Sequence, residues 1–210
     1  MADLPVMLKV AGRRCVVVGG GPTAVRRAAS LRAAGARVTL IAPRVETGAD
    51  LAETLLLQRA YQPGDLHEAF LVVIATDQRE VNEQAAREAQ QVGALVNRAD
   101  DPDSGDLTIP AHAQHGAVTL AVHTGGISAA AAAAIRRELS DALDPDWPRL
   151  LEIAAPFRAR IQEHYPDSQE RQRMLIRLTD EQAWTVLKQQ GPDALEQHLR
   201  TLLPSPSPRG

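Results

Sequence analysis

The sequence predicts a doubly wound α/β fold, in which helices cover both faces of a parallel sheet, followed by a small all-helical domain. Up to about residue 100, apolar segments with strand character alternate with segments of helical periodicity, as expected for a parallel sheet with crossover helices. Residues 70–75 are continuously apolar, which is typical of a parallel strand buried on both faces. After residue 146, strand signals give way to amphipathic segments, which indicate helices.

The predicted elements follow one another in a regular order. Apolar or β-branched segments predict strands over 15–19, 37–41, 58–61, 70–75 and 94–97. Helices are predicted over 23–34, 46–57 and 80–92. Beyond the polar loop 100–105, the pattern predicts a strand over 117–123 and an alanine-rich helix over 128–143. Amphipathic segments near 147–163, 168–177, 179–190 and 192–203 predict the remaining helices.

A glycine-rich turn lies between the first predicted strand and the first predicted helix. Gly19, Gly21 and Ala24 have the G-x-G-x-x-A spacing of a dinucleotide-binding turn. Gly19 permits the tight turn, Gly21 has no Cβ to keep a pyrophosphate from the backbone, and Ala24 lets the helix pack close to the sheet. The pattern therefore predicts a Rossmann-type nucleotide site beyond the carboxyl ends of the strands. The alternative is a glycine-rich turn that binds no ligand.

The composition favours a cytoplasmic protein that binds neither nucleic acid nor membrane. The 210 residues carry a net charge of −3, which is unfavourable for binding to polyanions. The N-terminal residues lack the pattern of a secretion signal, and no apolar run approaches the roughly 18 residues of a membrane span. The single cysteine, Cys15, excludes an intrachain disulfide, and its place in a predicted strand indicates a buried apolar side chain rather than a nucleophile.

The chain contains several short motifs that are common one by one but whose order and spacing are specific when taken together. They are Leu4-Pro5, Gly19-Gly20-Gly21-x-x-Ala24-x-Arg26-Arg27, Ala75-Thr76-Asp77 with Val81-Asn82, Asn97-x-x-Asp100-x-Pro102, Ile109-Pro110-Ala111 and Thr124-Gly125-Gly126-x-Ser128. On these motifs the chain resembles the precorrin-2 dehydrogenase/sirohydrochlorin ferrochelatase family, which includes the N-terminal half of bacterial siroheme synthases.

The resemblance implies an organisation and an activity. The terminal residues themselves predict a disordered tail over 204–210. The resemblance implies an NAD-binding Rossmann domain over 1–110, a dimerisation segment over 111–145 and a helical C-terminal domain over 146–203. It also implies a homodimer that oxidises precorrin-2 to sirohydrochlorin with NAD⁺. Many members also insert Fe²⁺ to give sirohaem, so both the tetrapyrrole and Fe²⁺ are expected as substrates.

Asp100 is the predicted catalytic residue. It matches the family's catalytic aspartate in the Asn-x-x-Asp loop. Its position is also suitable without the resemblance, because it follows the fifth predicted strand at the edge where reacting groups converge in this fold. A carboxylate there can accept the proton that oxidation releases, and pyrrole protons during metal insertion. The neighbouring Asp101, Asp103 and Asp106 are interpreted as caps of a solvated turn.

A second candidate anion site lies after the strand predicted over 117–123. Thr124, Gly125, Gly126 and Ser128 are the predicted substrate-binding residues, because two glycines free the backbone and Ser128 can cap a helix that points at a carboxylate-rich ligand. An ordinary capped helix is the alternative.

The histidines near this turn do not complete a metal site. His112 and His115 would share a face if they lay on a helix, but no carboxylate or thiolate stands at a matching spacing. The sequence therefore predicts no resident metal. A role of His123 in binding or in metal delivery stays open.

NAD is the expected cofactor. The second predicted strand ends at Ile41-Ala42-Pro43-Arg44, where NAD sites commonly carry an acid. Arg44 would instead suit the 2′-phosphate of NADP, but the resemblance favours NAD. The candidate cofactor-binding residues lie at the glycine turn and at the ends of predicted strands: Gly19, Gly21, Pro22, Thr23, Ala24, Pro43, Arg44, Thr76 and Asn97.

The sequence leaves two alternatives to a bifunctional enzyme open. Family members with dehydrogenase activity alone share the same motifs, so the sequence does not separate them from chelatases. A regulatory module that senses NAD(H) would explain the glycine turn and the helices, but it would leave Asp100 and the turn at 124–128 without a purpose.

Overall fold

A parallel β-sheet forms the centre of the first part of the chain. The computed structural model describes residues 3–203, and the chain divides between Ile109 and Pro110 into two compact units. The strands of the first unit are β1 (Arg14–Val18), β2 (Arg37–Ile41), β3 (Thr54–Leu57), β4 (Leu71–Ile74) and β5 (Leu95–Arg98). They pair in parallel in the spatial order β3-β2-β1-β4-β5.

Helices cover both faces of this sheet. Val17 of β1 belongs to a buried cluster with Ala24 and Ala28 of α1 (Pro22–Ala33). The neighbouring Val16 faces the other way and shares a second cluster with Ala85 of α2 (Arg79–Gln91). Because successive strand residues point to opposite faces, a β-branched strand can fill two cores at once. The doubly wound parallel sheet predicted from the sequence is confirmed.

The region between β2 and β4 differs from the prediction. The helix expected over 46–57 is wrong: its end, Thr54–Leu57, forms β3, and the residues before it form turns and extended segments. The strand expected over 58–61 is also wrong, since strand pairing ends at Leu57. Thr54–Leu57 pairs residue by residue with 38–41 of β2. Backbone hydrogen bonds to a neighbouring strand therefore override the local helical pattern.

The second unit combines a β-hairpin with helices. Its strands are β6 (Ala111–His115) and β7 (Val118–Val122), which pair antiparallel. Its helices are α3 (Ala129–Ala142), α4 (Asp146–His164), α5 (Ser168–Arg177), α6 (Glu181–Gln190) and α7 (Pro192–Arg200). The sequence predicted β7 and the helices to within a few residues but missed β6. The tail predicted over 204–210 lies outside the described residues.

The C-terminal helices share one hydrophobic core. Leu150, Phe157 and Ile161 of α4 are buried with Leu187 of α6 and Leu199 of α7. The helix boundaries follow from capping: the side chains of Asp167 and Asp180 accept the backbone N–H of Glu170 (2.8 Å) and Ala183 (2.9 Å) at the starts of α5 and α6. The helical C-terminal part is confirmed.

Candidate functional site

The carboxyl ends of the parallel strands meet at one edge of the sheet. The register pairs Val18 with both Ile41 and Ile74, and Ile74 with Arg98. The residues that follow these strand ends therefore lie side by side. Backbone hydrogen bonds continue past the ends, from Gly19 N to Ile41 O at 2.9 Å and from Ala99 N to Ile74 O at 2.9 Å. This edge is where ligands bind in open α/β sheets.

Two glycines of the turn after β1 are required by close backbone contacts. Gly19 has φ of 128°, and a Cβ added to it would lie 2.3 Å from the carbonyl oxygen of Ala75. A Cβ on Gly20 would lie 1.9 Å from the carbonyl oxygen of Arg44. The backbone N–H of Glu46 also donates to the Gly20 carbonyl at 2.8 Å. The loop after β2 is thus fastened against the glycine turn, a role of Gly20 that sequence reasoning missed.

Gly21 and the start of α1 remain open. A Cβ on Gly21 would meet no atom within 4 Å in the described chain. Gly21 is the N-cap of α1 with no side-chain cap, Pro22 follows it, and the first turn has no acidic residue. The positive end of the helix dipole and backbone N–H groups therefore face outward, which suits a pyrophosphate. Thr23 is half-buried, and the fully buried Ala24 packs in the core.

The loop after β2 places Pro43 and Arg44 at the same edge. Both residues are exposed, whereas Ala42 before them is buried. The carbonyl contact of Arg44 with Gly20 brings this loop next to the phosphate turn. The residues present fit a dinucleotide with its pyrophosphate at Gly21 and its adenosine ribose toward residues 43–44.

Thr76 belongs to a hydrogen-bond network with α2. Its hydroxyl donates to Oδ1 of Asn82 at 2.5 Å, and Asn82 Nδ2 donates to the Thr76 carbonyl at 3.1 Å. Asn82 is only 1% exposed. The network fixes the turn after β4 beside the glycine turn, and Asn82 was not among the predicted site residues.

Asn97 lies within the sheet rather than on its surface. It is buried, and its Nδ2 donates to the Leu107 carbonyl at 3.0 Å, so the side chain ties β5 to the loop that follows. Within the described chain, its Oδ1 is buried without a hydrogen-bond partner. Its position at the carboxyl end of β5 places it near the candidate cofactor edge, and a direct contact with the cofactor stays a prediction.

Asp100 is held by an arginine from β5. Arg98 donates from Nε to Oδ1 of Asp100 at 3.2 Å and from Nη2 to Oδ2 at 2.8 Å. The hydrogen bonds from Arg98, with a weaker contribution from Asn82, hold the pKa of Asp100 below its usual range, although partial desolvation opposes them. The Asp100 side chain is 28% exposed. It is therefore an ionised carboxylate that a ligand can reach.

The neighbouring aspartates stabilise the loop. Asp106 accepts the backbone N–H of Val96 at 2.9 Å, and Asp101 accepts a hydrogen bond from the Ser104 hydroxyl. Asp106 thus ties the loop to β5, and Asp101 bonds a hydroxyl within the turn; the capping of turn N–H groups by Asp101, Asp103 and Asp106 stays a prediction.

The turn over 124–128 lies in the second unit at the start of α3. Ser128 caps α3 by accepting the Ala131 N–H at 3.1 Å. The Thr124 hydroxyl donates to the Ser128 carbonyl at 3.0 Å. Gly125 and Gly126 have φ of 62° and 76°, with nothing within 4 Å of an added Cβ in the described chain. The backbone conformation requires glycine, and the space beside it is open.

His112 and His115 do not lie on a helix, the arrangement in which they would share a face. His112 and His115 lie on β6, where a separation of three residues places them on opposite faces. The shared face considered from the sequence is therefore wrong. Among the described residues, no three His, Cys, Asp or Glu side chains are placed to hold a metal ion. In that same range, no helix has the length and apolarity that crossing a membrane requires.

Cys15 is fully buried in β1. Burial raises the pKa of its thiol to about 11, so the thiolate needed for nucleophilic chemistry is not available near neutral pH. The interpretation of Cys15 as a core residue is confirmed.

The fold and this edge define a Rossmann-type NAD(P)-binding protein. Residues 6–111 match the family model described as NAD(P)-binding, and residues 146–203 match the model described as the sirohaem synthase dimerisation region. The cofactor expected from the sequence, NAD, agrees with these matches. The dimerisation model covers the C-terminal helices, whereas the sequence placed the dimerisation segment over 111–145.

Curated proteins and a solved structure narrow the class. The chain is 36% identical over 167 residues to a siroheme synthase of Nitrosococcus oceani, covering 78% of this chain and 36% of that protein. It is 36% identical over 177 residues to a siroheme synthase of Chromobacterium violaceum, covering 82% of this chain and 38% of that protein. The structure of SirC, a precorrin-2 dehydrogenase, superposes with a TM-score of 0.72 at 26% identity and covers 95% of this chain and 100% of that one.

The chain belongs to the family of precorrin-2 dehydrogenases and siroheme synthases, as the resemblance implied. It spans less than two fifths of the length of the siroheme synthases that it matches.

Proposed function

We propose that this chain oxidises precorrin-2 to sirohydrochlorin with NAD⁺. The observation that carries the proposal is the meeting of two features at one edge of the sheet. A nucleotide-binding turn follows β1, and an ionised, accessible carboxylate, Asp100, follows β5. SirC and the siroheme synthases, whose names refer to precorrin-2 and to sirohaem, support the choice of substrate.

The chemistry assigns separate tasks to the two features. Oxidation of the macrocycle removes two hydrogens, one as a hydride and one as a proton. NAD⁺ supplies the hydride acceptor when bound. Asp100, which is ionised at neutral pH, accepts the proton. The start of α1 holds the cofactor's pyrophosphate, with Gly19, Gly21, Pro22, Thr23 and Ala24 forming the turn.

Further contacts are proposed within each of the two units. Pro43 and Arg44 lie on the adenosine side of the cofactor, and Thr76 and Asn97 lie at the ends of β4 and β5. Thr124, Gly125, Gly126 and Ser128 bind a carboxylate of the tetrapyrrole through the open backbone at the start of α3. The protein acts in the cytoplasm.

We also propose that the chain inserts Fe²⁺ into sirohydrochlorin, with the metal ion as substrate. The support is an accessible carboxylate, Asp100, at the position that matches the family's catalytic aspartate. Metal insertion requires loss of pyrrole protons, and Asp100 is placed to accept them.

The working form is proposed to be a homodimer. The segment 111–145 carries exposed apolar residues on α3, among them Ile135 and Leu139, while the matched dimerisation region lies over 146–203 and exposes Ile176 on α5. Light scattering at micromolar concentration should give twice the chain mass. Ile135→Glu in α3 and Ile176→Glu in α5 are matched variants, and the one that gives a monomer locates the interface. A monomeric wild-type protein would contradict the homodimer.

Turnover decides the function. The protein is incubated anaerobically with precorrin-2 and NAD⁺, and formation of NADH and of sirohydrochlorin is followed by absorbance. A second reaction contains sirohydrochlorin and Fe²⁺ without NAD⁺. NADH formation without Fe²⁺ insertion identifies a dehydrogenase alone. NAD binding without any turnover favours the NAD(H)-sensing module and refutes the proposed enzyme.

Replacement of Asp100 tests the assigned proton acceptor. Asp100→Asn keeps the size of the side chain but removes its basicity, so NADH formation and Fe²⁺ insertion should each fall about 10²-fold or more. NAD affinity measured by calorimetry should not change. Asp101→Asn is the matched control, since Asp101 bonds Ser104 within the loop. Full activity of Asp100→Asn would refute the role of Asp100, and loss of Fe²⁺ insertion alone would restrict it to the metal step.

A further inference from the structure

The guanidinium of Arg98 is buried at the edge of the sheet where the chemistry is proposed. Its side chain is only 6% exposed, so it cannot reach outward to a ligand. Its Nε and Nη2 each contact a different oxygen of Asp100, at 3.2 and 2.8 Å. Two contacts from a planar group fix the orientation of a carboxylate as well as its position.

Helix α2 holds the same pair from the other side. Oε1 of Glu83 lies 3.8 Å from Nη2 of Arg98. The adjacent Asn82 contributes to the lowered pKa of Asp100 and donates to the carbonyl of Thr76 at 3.1 Å. The carboxylate is therefore held by Arg98 of β5, and Glu83 of α2 lies beside that arginine.

We propose that Arg98 is the positioning residue that holds the Asp100 carboxylate oriented toward the reacting atoms. This inference rests on the proposed role of Asp100. Arg98 touches neither substrate nor cofactor and acts only through Asp100. The contact with Arg98 also distinguishes Asp100 from the neighbouring aspartates. Asp106 accepts a hydrogen bond from the backbone of β5, and Asp101 accepts one from Ser104.

The charged groups around this pair determine in which direction the pKa of Asp100 moves when Arg98 is removed. Arg98 on β5 is the nearest cation, and the anions are Glu83 on α2 and Asp101 in the loop. Arg79 on α2 pairs with Glu83 at 3.7 Å. Removing Arg98 takes away the hydrogen bonds and the positive charge that favour the ionised carboxylate, so the pKa of Asp100 rises and its ionised form is lost at a higher pH.

The test combines Arg98→Met with a titration that needs no turnover. The carboxyl carbon of Asp100, labelled with ¹³C and assigned from Asp100→Asn, reports its ionisation by NMR. In Arg98→Met the midpoint should move to higher pH, and in Arg98→Lys it should move less. Arg79→Met is the matched control. Like Arg98, Arg79 is positively charged and pairs with Glu83, but it is 89% exposed and makes no contact with Asp100 among those described.

Kinetics test the positioning. In Arg98→Met, kcat for precorrin-2 should fall roughly tenfold to 10²-fold while KM for NAD⁺ stays constant. The acid limb of kcat/KM should move to higher pH, and Arg98→Lys should restore part of kcat. Combined with Asp100→Asn, Arg98→Met should cause no further loss, because it acts through a carboxylate that is already gone.

The outcomes separate this inference from the proposed function. An unchanged Asp100 midpoint in folded Arg98→Met overturns the inference whether or not the wild type turns over precorrin-2. Wild-type kcat in that variant overturns it as well. If the wild type is inactive but the titration midpoint of Asp100 still shifts in Arg98→Met, the proposed function is refuted while the interaction of Arg98 with Asp100 is supported. If Arg98→Met does not fold, the midpoint and kcat of Arg98→Lys decide.

Discussion

The two helix N-termini assigned to anionic ligands differ in what remains free for a ligand. The N-cap of α1 is Gly21, which has no side chain to accept a hydrogen bond, so the first N–H groups of the helix are left to an external acceptor. The N-cap of α3 is Ser128, whose hydroxyl already accepts the Ala131 N–H, and the Thr124 hydroxyl donates to the Ser128 carbonyl within the preceding turn. Both first turns lack acidic residues, so the two helix dipoles favour anions equally. The difference lies in hydrogen-bonding capacity.

This difference assigns different tasks to the two turns. The start of α1 can bind a pyrophosphate through backbone N–H groups alone, as dinucleotide sites do. At the start of α3, the Ser128 cap supports the helix, and the proposed contact with substrate would rest on the backbone of Gly125 and Gly126. A substitution in the first turn should therefore change ligand affinity, and one in the second should change stability.

Among substitutions that compare these two turns, Gly21→Asp has the largest expected effect. It places a negative charge where the pyrophosphate is proposed to bind, so NAD affinity measured by calorimetry should fall more than about tenfold. The fold should survive, because φ at Gly21 is −75° and an added Cβ meets no described atom within 4 Å. Gly21→Ala is the control for the side chain without the charge. Unchanged NAD affinity in Gly21→Asp would remove the cofactor from this turn.

Ser128→Ala should have the opposite profile. Loss of the N-cap should lower the free energy of unfolding by about 1 kcal/mol, measured by denaturant titration of the second unit. NAD affinity should not change. A rise in KM for precorrin-2 beyond that of a control cap variant, Asp180→Ala at the start of α6, would show that Ser128 also contacts substrate. Unchanged stability would mean that the capping hydrogen bond contributes nothing.

The site features that sequence predicts well are those set by neighbouring residues. The spacing of Gly19, Gly21 and Ala24 encodes a turn and a close helix–sheet contact within one short segment, and the structure has both. Asp100 was proposed from its match to the family's aspartate and from its place just after β5; the structure puts it at the edge where the carboxyl ends of the strands meet, and its catalytic role stays a prediction.

The sequence did not predict the features that depend on residues far away along the chain. β3 forms because Thr54–Leu57 pairs with β2, a contact that no local pattern encodes. Arg98 looks like an ordinary strand residue, and its role depends on Glu83 and Asn82 in a separate helix. Gly20 is required by the carbonyl of Arg44, which reaches it only after β2 has paired with β1. Pairing of strands and packing of helices determine these roles.

Arg44→Ala should have the smallest effect and tests the adenosine side of the open turn. Arg44 is exposed, and an exposed charge near the NAD phosphates contributes about 0–1 kcal/mol, so NAD affinity should change less than about fivefold. NADP carries an extra 2′-phosphate at the end of the second strand, where an arginine can pair with it. Any residual NADP binding should therefore fall more than NAD binding does, and calorimetry with both nucleotides measures the ratio. Arg59→Ala is a control for loss of a charge, since Arg59 pairs with Asp65 at 2.6 Å instead. Equal losses for NAD and NADP in Arg44→Ala would show that Arg44 does not face the ribose, and the loop fastened to Gly20 would then only shape the turn.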